Sequence, residues 1–286
     1  YLGTDRQETN DNARVFAHGE WTATSRLNVN LGAMLEDTSY TGREFSPRVA
    51  LNYRLAPDHA LRASSSRAHR TPTIYEEKAD QRFDLEPINS PIKIRVQQAK
   101  ATGGLMSEHI ISHEIGYVGQ FSAQGLTLDL RAYHDKLDHL VGSQVVALPA
   151  EPGVRYFNGN TLGLTGLAFS AVNQNNATVK GYEMHARLQP YAKTDVLLSY
   201  ANTRIGSNEP ALERTMPRNT FSLLATHQFP LRLQGSVGYY QASKVEPLSE
   251  GNLIPLARRI DLRLAHQLRG GSYFREGEIA LVLQNL

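Results

Sequence analysis

Leu126-Thr127-Leu128-Asp129-Leu130-Arg131-Ala132-Tyr133 alternates apolar with polar residues at every step. A period of 2 puts Leu126, Leu128, Leu130 and Ala132 on one face of a strand and Thr127, Asp129, Arg131 and Tyr133 on the other. The same pattern recurs along the chain. Ala13, Val15, Ala17 and Trp21 oppose Arg14, His18 and Glu20, and Val49, Leu51, Tyr53 and Leu55 oppose Arg48, Asn52 and Arg54. Ile111, His113, Ile115 and Tyr117 oppose Ser112, Glu114 and Gly116; Tyr182, Met184, Ala186 and Leu188 oppose Glu183, His185 and Arg187. About a dozen such segments are present, ending with Ile260, Leu262 and Leu264 against Arg259, Asp261 and Arg263, then Ile279, Leu281 and Leu283. One greasy face and one charged face suit a transmembrane barrel, with lipid outside and water or protein inside.

The connections support this reading. They run short, long, short, long. Tight turns are expected at Thr22–Arg26, Ala56-Pro57-Asp58-His59, Ser122–Gly125, Gln189–Asp195 and Pro230. Longer links are expected at Asp37–Glu44, Ile205–Arg218 and Lys244–Pro255. Two stretches, Thr71 to Ser107 and Leu137 to Asn176, lose the alternation and read as long irregular loops. In a meander, odd and even connections fall at opposite ends, as in barrels with short turns on one side and long loops on the other. Loops of that length count against a compact soluble domain.

Composition narrows the classes. The 286 residues include no cysteine, carry a net charge of +2 and are 41% hydrophobic. No run approaches the roughly 20 apolar residues of a membrane helix, a test that strands escape by alternating. The near-neutral balance does not suggest a nucleic-acid partner. Arginine outnumbers lysine 23 to 7. The polar faces carry Arg14, Glu20, Arg48, Arg54, Arg62, Glu114, Asp129, Arg131, Glu183, Arg187, Arg232, Arg259, Asp261 and Arg263. Arginine forks pair bidentately with carboxylates and tolerate partial burial. Two readings stay open for this face: an interior packed against another protein element, or a water-filled or solvated surface.

No catalytic signature stands out. His134-Asp135-Lys136-Leu137-Asp138-His139 splits its metal-ligating types between two faces and reads as a polar strand end. His109 and His113 lie on or beside a strand and are expected at an interface. Gly103-Gly104 and Gly270-Gly271 read as turns, not phosphate loops. Trp21, Tyr53, Tyr117, Tyr182, Tyr200 and Tyr239 lie on apolar rows, where a barrel places its aromatic girdles. A soluble all-β domain would also bury them.

Several segments resemble the C-terminal part of the TonB-dependent outer-membrane receptors. They are FSPRVALNYR (45–54) with LRASSSRAHRTP (61–72), SEHIISHEIGY (107–117), VKGYE (179–183), and RIDL (259–262) with LVLQNL (281–286). They occur in the family's order along nearly the whole chain, so that residues 1–286 read as one barrel domain. The resemblance implies an all-β, transmembrane antiparallel β-barrel of 22 strands, of which this chain supplies about 12. It implies that an N-terminal plug with its TonB box, the first strands and the last strand lie outside these residues. It further implies a Gram-negative outer membrane, no cofactor, energy supplied by TonB with ExbB and ExbD through the plug, and import of a metal chelate, most simply a ferric siderophore. Cobalamin, haem or glycan import, and a passive porin-like channel, remain the alternatives. Under this reading Arg48, Arg54, Arg62, Glu114, Arg131, Glu183, Arg187 and Arg263 face the plug. Lys78, Arg82, Lys93, Arg95 and Lys100 in the first long loop are candidates to hold an anionic chelate. So are Arg155, Tyr156 and Asn158, with Asn160, in the second.

Overall fold

The computed structural model describes residues 2, 7–246, 252–269 and 276–286. Twelve long strands form one antiparallel meander: β1 (Asn12–Thr24), β2 (Leu27–Thr38), β3 (Gly42–Ala56), β4 (His59–Arg70), β7 (Glu108–Phe121), β8 (Leu126–Leu148), β11 (Gly166–Tyr191), β12 (Thr194–Ser207), β13 (Asn219–Gln228), β14 (Leu233–Ala242), β15 (Ala257–Arg269) and β16 (Glu276–Leu283). Each pairs with its neighbour in this order, and among the described residues β1 and β16 are not paired with each other, so the wall is open. Four short strands, β5 (Asp80–Leu85), β6 (Lys93–Lys100), β9 (Val154–Phe157) and β10 (Leu162–Gly163), lie off this path in the two long connections.

Register confirms the two faces. Trp21, Val29, Leu51, Ala63, Ile115, Ala132 and Tyr182 fall opposite one another across successive strands. One residue along, Glu20, Asn30 and Ala50 align on the other face, as do Arg62, Gly116, Arg131 and Glu183. The apolar row is exposed: Trp21 is 63%, Ile115 61%, Leu264 50% and Leu281 62% accessible. A soluble monomer does not display so long a band of large apolar side chains, whereas lipid covers it in a membrane barrel.

The tight turns have local causes. Gly125 closes the β7–β8 turn at φ 61°, and a Cβ there would lie 2.4 Å from the backbone oxygen of Gln189. Only glycine takes that conformation and that approach without strain. Pro230 opens a short 3-10 turn, Pro230–Arg232, before β14. Arg232 therefore sits in a turn with φ 60°, not on the polar face of a strand as expected. Gly270-Gly271 lies outside the described residues.

Three expectations about loops are corrected. The link expected at Asp37–Glu44 shrinks to Ser39–Thr41, because Asp37 pairs with Arg43 and Thr38 with Gly42. These residues are polar because both faces meet water there, and the ladder continues regardless. The stretch from Leu137 to Asn176 is mostly strand: β8 runs on to Leu148 and β11 begins at Gly166. At about 3.4 Å per residue, the 23 residues of β8 span roughly 75 Å, well beyond a bilayer. His139 at φ 60° and register shifts around Asn175 break the alternation above the apolar band. Beyond it no face must be apolar. The stretch from Thr71 to Ser107 likewise contains a helix, α1 (Ile74–Lys78), together with β5 and β6.

A capping box at Thr73 and Glu76 starts α1. Its buried Glu77 accepts hydrogen bonds from the backbone N–H groups of Gly104 (2.6 Å) and Leu105 (3.1 Å). Gly103 and Gly104, at φ 71° and 73°, make the turn that aims those amides at the carboxylate. Among the described residues, apart from Ala177 and Ala265, the buried apolar side chains, Pro72, Ala79, Ala99, Leu105, Val154, Tyr156 and Ala168, all belong to this end of the sheet. The closest approach to a core is thus in the long connections, not between the sheet faces.

Candidate functional site: the long connections and the charged inner face

The two long connections lock together. β6 pairs antiparallel with β5 and parallel with β9, and Ala99 meets Phe169 of β11. Arg95 is the clasp. Its side chain is 7% exposed and forks onto Asp84 at 2.7 and 2.9 Å in its own connection, and onto Glu151 at 2.7 Å in the other. Tyr156, 2% exposed, donates its hydroxyl to the second oxygen of Glu151 at 2.7 Å. The Arg95 hydrogen bonds hold the Asp84 carboxyl below the usual range. The Tyr156 hydroxyl, and then Arg95, do the same for Glu151. Burial, reinforced by Glu151, pushes the Tyr156 phenol up.

The other loop candidates are placed as follows. Lys100 bonds Asp80 at 2.8 Å, Arg82 lies 3.7 Å from the same carboxylate, and Lys93 bonds Glu86 at 2.6 Å. Asn158 ties the β9–β10 turn by donating to the Thr165 carbonyl and accepting from the Leu167 N–H. Asn160 is exposed in that turn. Lys78 stands exposed in the last turn of α1, and Arg155 donates to the Val154 carbonyl. Among the described residues neither of these two meets a carboxylate.

On the inner face, arginines and carboxylates interleave across strands. Arg131 of β8 reaches Glu114 of β7 and, at 3.4 Å, Glu183 of β11, with its guanidinium 5.2 Å from the Tyr133 ring. Arg62 pairs with Asp129, Arg187 with Asp195 at 2.8 Å, and Arg263 with Glu278 and Gln234. His18, Arg48, Arg62, Glu114 and Arg131 border a hollow of about 610 Å³. Arg48 and Arg54 are exposed, and neither meets a described carboxylate. The face is thus a grid of fixed charges with spare donors directed inward, able to bind a polar partner surface.

The His134–His139 segment lies inside β8, not at a strand end. It reads as polar because it passes above the apolar band. His109 bonds Glu44 at 3.0 Å, in a cluster the sequence did not show. Glu36, 3% exposed, joins Arg14 at 2.7 Å, Asn12 and His69. Arg14 and Asn12 come from β1 and His69 from β4, while Glu36 lies on β2, so no local spacing signals them. Among the described residues, no group of three or more His, Asp or Glu side chains could hold a metal ion.

Comparison with known proteins agrees with this architecture. The family model "TonB dependent receptor-like, beta-barrel" matches residues 2–282. A mutant of the ferric enterobactin receptor PfeA from Pseudomonas aeruginosa superposes with a TM-score of 0.73 at 15% identity, covering 99% of this chain and 41% of that one. The siderophore receptor PirA from Acinetobacter baumannii gives 0.68 at 13% identity, covering 90% and 39%. The FpvAI–pyocin S2 complex gives 0.58 at 16% identity, covering 90% and 33%. The chain therefore spans at most about two-fifths of these structures. No curated protein matches it. No described helix is long and apolar enough to cross a membrane, which has no bearing on strands. Barrels of the matched family sit in the outer membrane of Gram-negative bacteria. With a family match over nearly its whole length and twelve strands in the expected order, this chain belongs to the TonB-dependent receptor β-barrels.

Proposed function

We propose that this chain is the C-terminal wall of an outer-membrane active importer whose cargo is a ferric siderophore. The observation that carries the proposal is the inner face: a cross-strand grid of arginines and carboxylates centred on Arg131, Glu114 and Glu183, suited to hold a plug. A passive pore has no need of a surface built to bind protein. The siderophore assignment draws support from the neighbours named as siderophore receptors. In this reading the long connections face the cell exterior. Lys78 and Arg155 contact the anionic chelate, while Arg82, Lys93, Arg95, Lys100, Tyr156 and Asn158 shape the surface that presents them. Arg48, Arg54, Arg62, Arg187 and Arg263 complete the plug-facing wall. TonB, with ExbB and ExbD, acts on the plug. No covalent chemistry is needed.

Uptake of radiolabelled ferric chelates by cells lacking the full gene tests this reading. Loss of uptake of one siderophore, restored by the gene, is the expected result. Unchanged uptake across a broad siderophore panel sinks the cargo assignment. Steady conductance of the purified receptor in a planar bilayer sinks the plugged importer in favour of an open pore.

A further inference from the structure

The outward face of the same wall carries a second charged feature. The register places His113 of β7 opposite His134 of β8, His134 opposite Lys180 of β11, and Lys180 opposite Arg204 of β12. All four are exposed. They share a face with Ile115, Ala132 and Tyr182, two residues nearer the middle of the wall, so they project outward and not into the lumen. Directly below them Tyr182 and Tyr200 approach to 5.8 Å between ring centres. Aromatic side chains at that height mark the edge of the apolar band. One step above His134, Lys136 points the same way and pairs with Asp138 at 3.1 Å.

This row differs from the arginine–carboxylate pairs of the inner face. Inside, Arg62, Arg131, Arg187 and Arg263 each meet a carboxylate. Outside, two permanent cations face each other across β11 and β12, an arrangement that is unfavourable unless an anion lies between them. Among the described residues no carboxylate reaches Lys180 or Arg204. A cationic row just above a tyrosine girdle is complementary to phosphate carried at a membrane interface.

We propose that this row binds the phosphate groups of a phosphorylated glycolipid in the leaflet on the side of the long connections. The proposal rests on the membrane placement given above, and not on the identity of the cargo. Lys180 and Arg204 grip the phosphate, and His113 and His134 add donors beside it.

The test uses the full-length receptor in nanodiscs, titrated with a bis-phosphorylated lipid A and with its dephosphorylated, acyl-matched counterpart. Replacing both cations, Lys180→Gln with Arg204→Gln, is expected to weaken binding of the phosphorylated lipid by roughly 30-fold. The exchange Lys180→Arg with Arg204→Lys should keep it, and Lys193→Gln, in the turn at the opposite end of the wall, should leave it unchanged. Heat-modifiability on gels verifies that each variant is a folded barrel. If the double variant does not fold, the single Arg204→Gln variant is read in its place, with a several-fold loss expected. Equal affinity of wild type and variant, or equal affinity for the dephosphorylated lipid, overturns the proposal. Displacement of the lipid by an equal concentration of inorganic phosphate overturns it in favour of a free-anion site. Siderophore uptake, measured separately, reports on the cargo reading alone.

Discussion

Replacing Arg95 with methionine should unclasp the two long connections without unfolding the wall. Arg95 donates three charge-assisted hydrogen bonds, two to Asp84 and one to Glu151. Bonds of this kind contribute about 1.5–3 kcal/mol each where both partners are buried. Here the Asp84 and Glu151 side chains remain 28% and 46% exposed, so water resolvates them once Arg95 is gone, and the net loss falls to about 2 kcal/mol. Methionine keeps most of the stem's packing, which isolates the electrostatic part. A loss of that size raises the opening equilibrium of the β6–β9 pairing roughly 30-fold. Amide hydrogen exchange on the full-length receptor in detergent reads this directly. Amides of Lys93–Lys100 and Val154–Phe157 should exchange about 30 times faster, while those of β12 and β13 stay at wild-type rates. Exchange within twofold of wild type in the β6–β9 segments would refute the clasp. Acceleration throughout the barrel would show instead that Arg95 supports the whole wall.

Acid should act on the same clasp. Asp84 and Glu151 are held below their ordinary values in the folded state, so their contribution is complete above the unfolded carboxylate values of about 4 and is lost as pH falls below them. Limited proteolysis should therefore cut the long connections faster at pH 3 than at pH 6, and equal rates would contradict the sign. Gly125→Ala forces a Cβ against the Gln189 backbone at φ 61° and should cost at least about 1–2 kcal/mol, seen as a lower yield of heat-modifiable barrel in liposomes. Leu198→Arg places a charge on the outward apolar row and should destabilise the folded barrel by about 2–4 kcal/mol in urea titrations, whereas Leu198→Ile should not. An Arg131→Met variant leaves Glu114 and Glu183 without their shared cation; a loss of about 1 kcal/mol is expected in the same titration.

Much of the wall was legible in the sequence because its constraint is local. A strand in lipid must turn an apolar residue outward at every second position, so Leu126, Leu128 and Leu130 declare their strand without reference to anything distant. The Pro57-Asp58 and Gly125 turns are local in the same way. Above the apolar band that demand disappears. β8 beyond Leu137 and the first half of β11 therefore read as loops although they stay paired on both sides of the register shifts at Asn175. The candidate site suffered most from this. Arg95 and Lys93 look alike in the sequence, as loop cations, yet one is buried between two connections and the other is half exposed beside Glu86.

Residue alternation was enough to read which side chains share the apolar face, about how many long strands there are and where the turns at Pro57, Gly125 and Pro230 fall, since each depends on neighbours one or two positions away. Which charges meet follows from the folded wall and not from the local pattern. Arg95 and Glu151 are 56 residues apart, Arg62 and Asp129 are 67 apart, and Lys180 meets Arg204 only through the register of β11 and β12. Ion pairing falls off steeply with distance and leaves no periodic trace along the chain, so it emerges only when the strands are laid side by side.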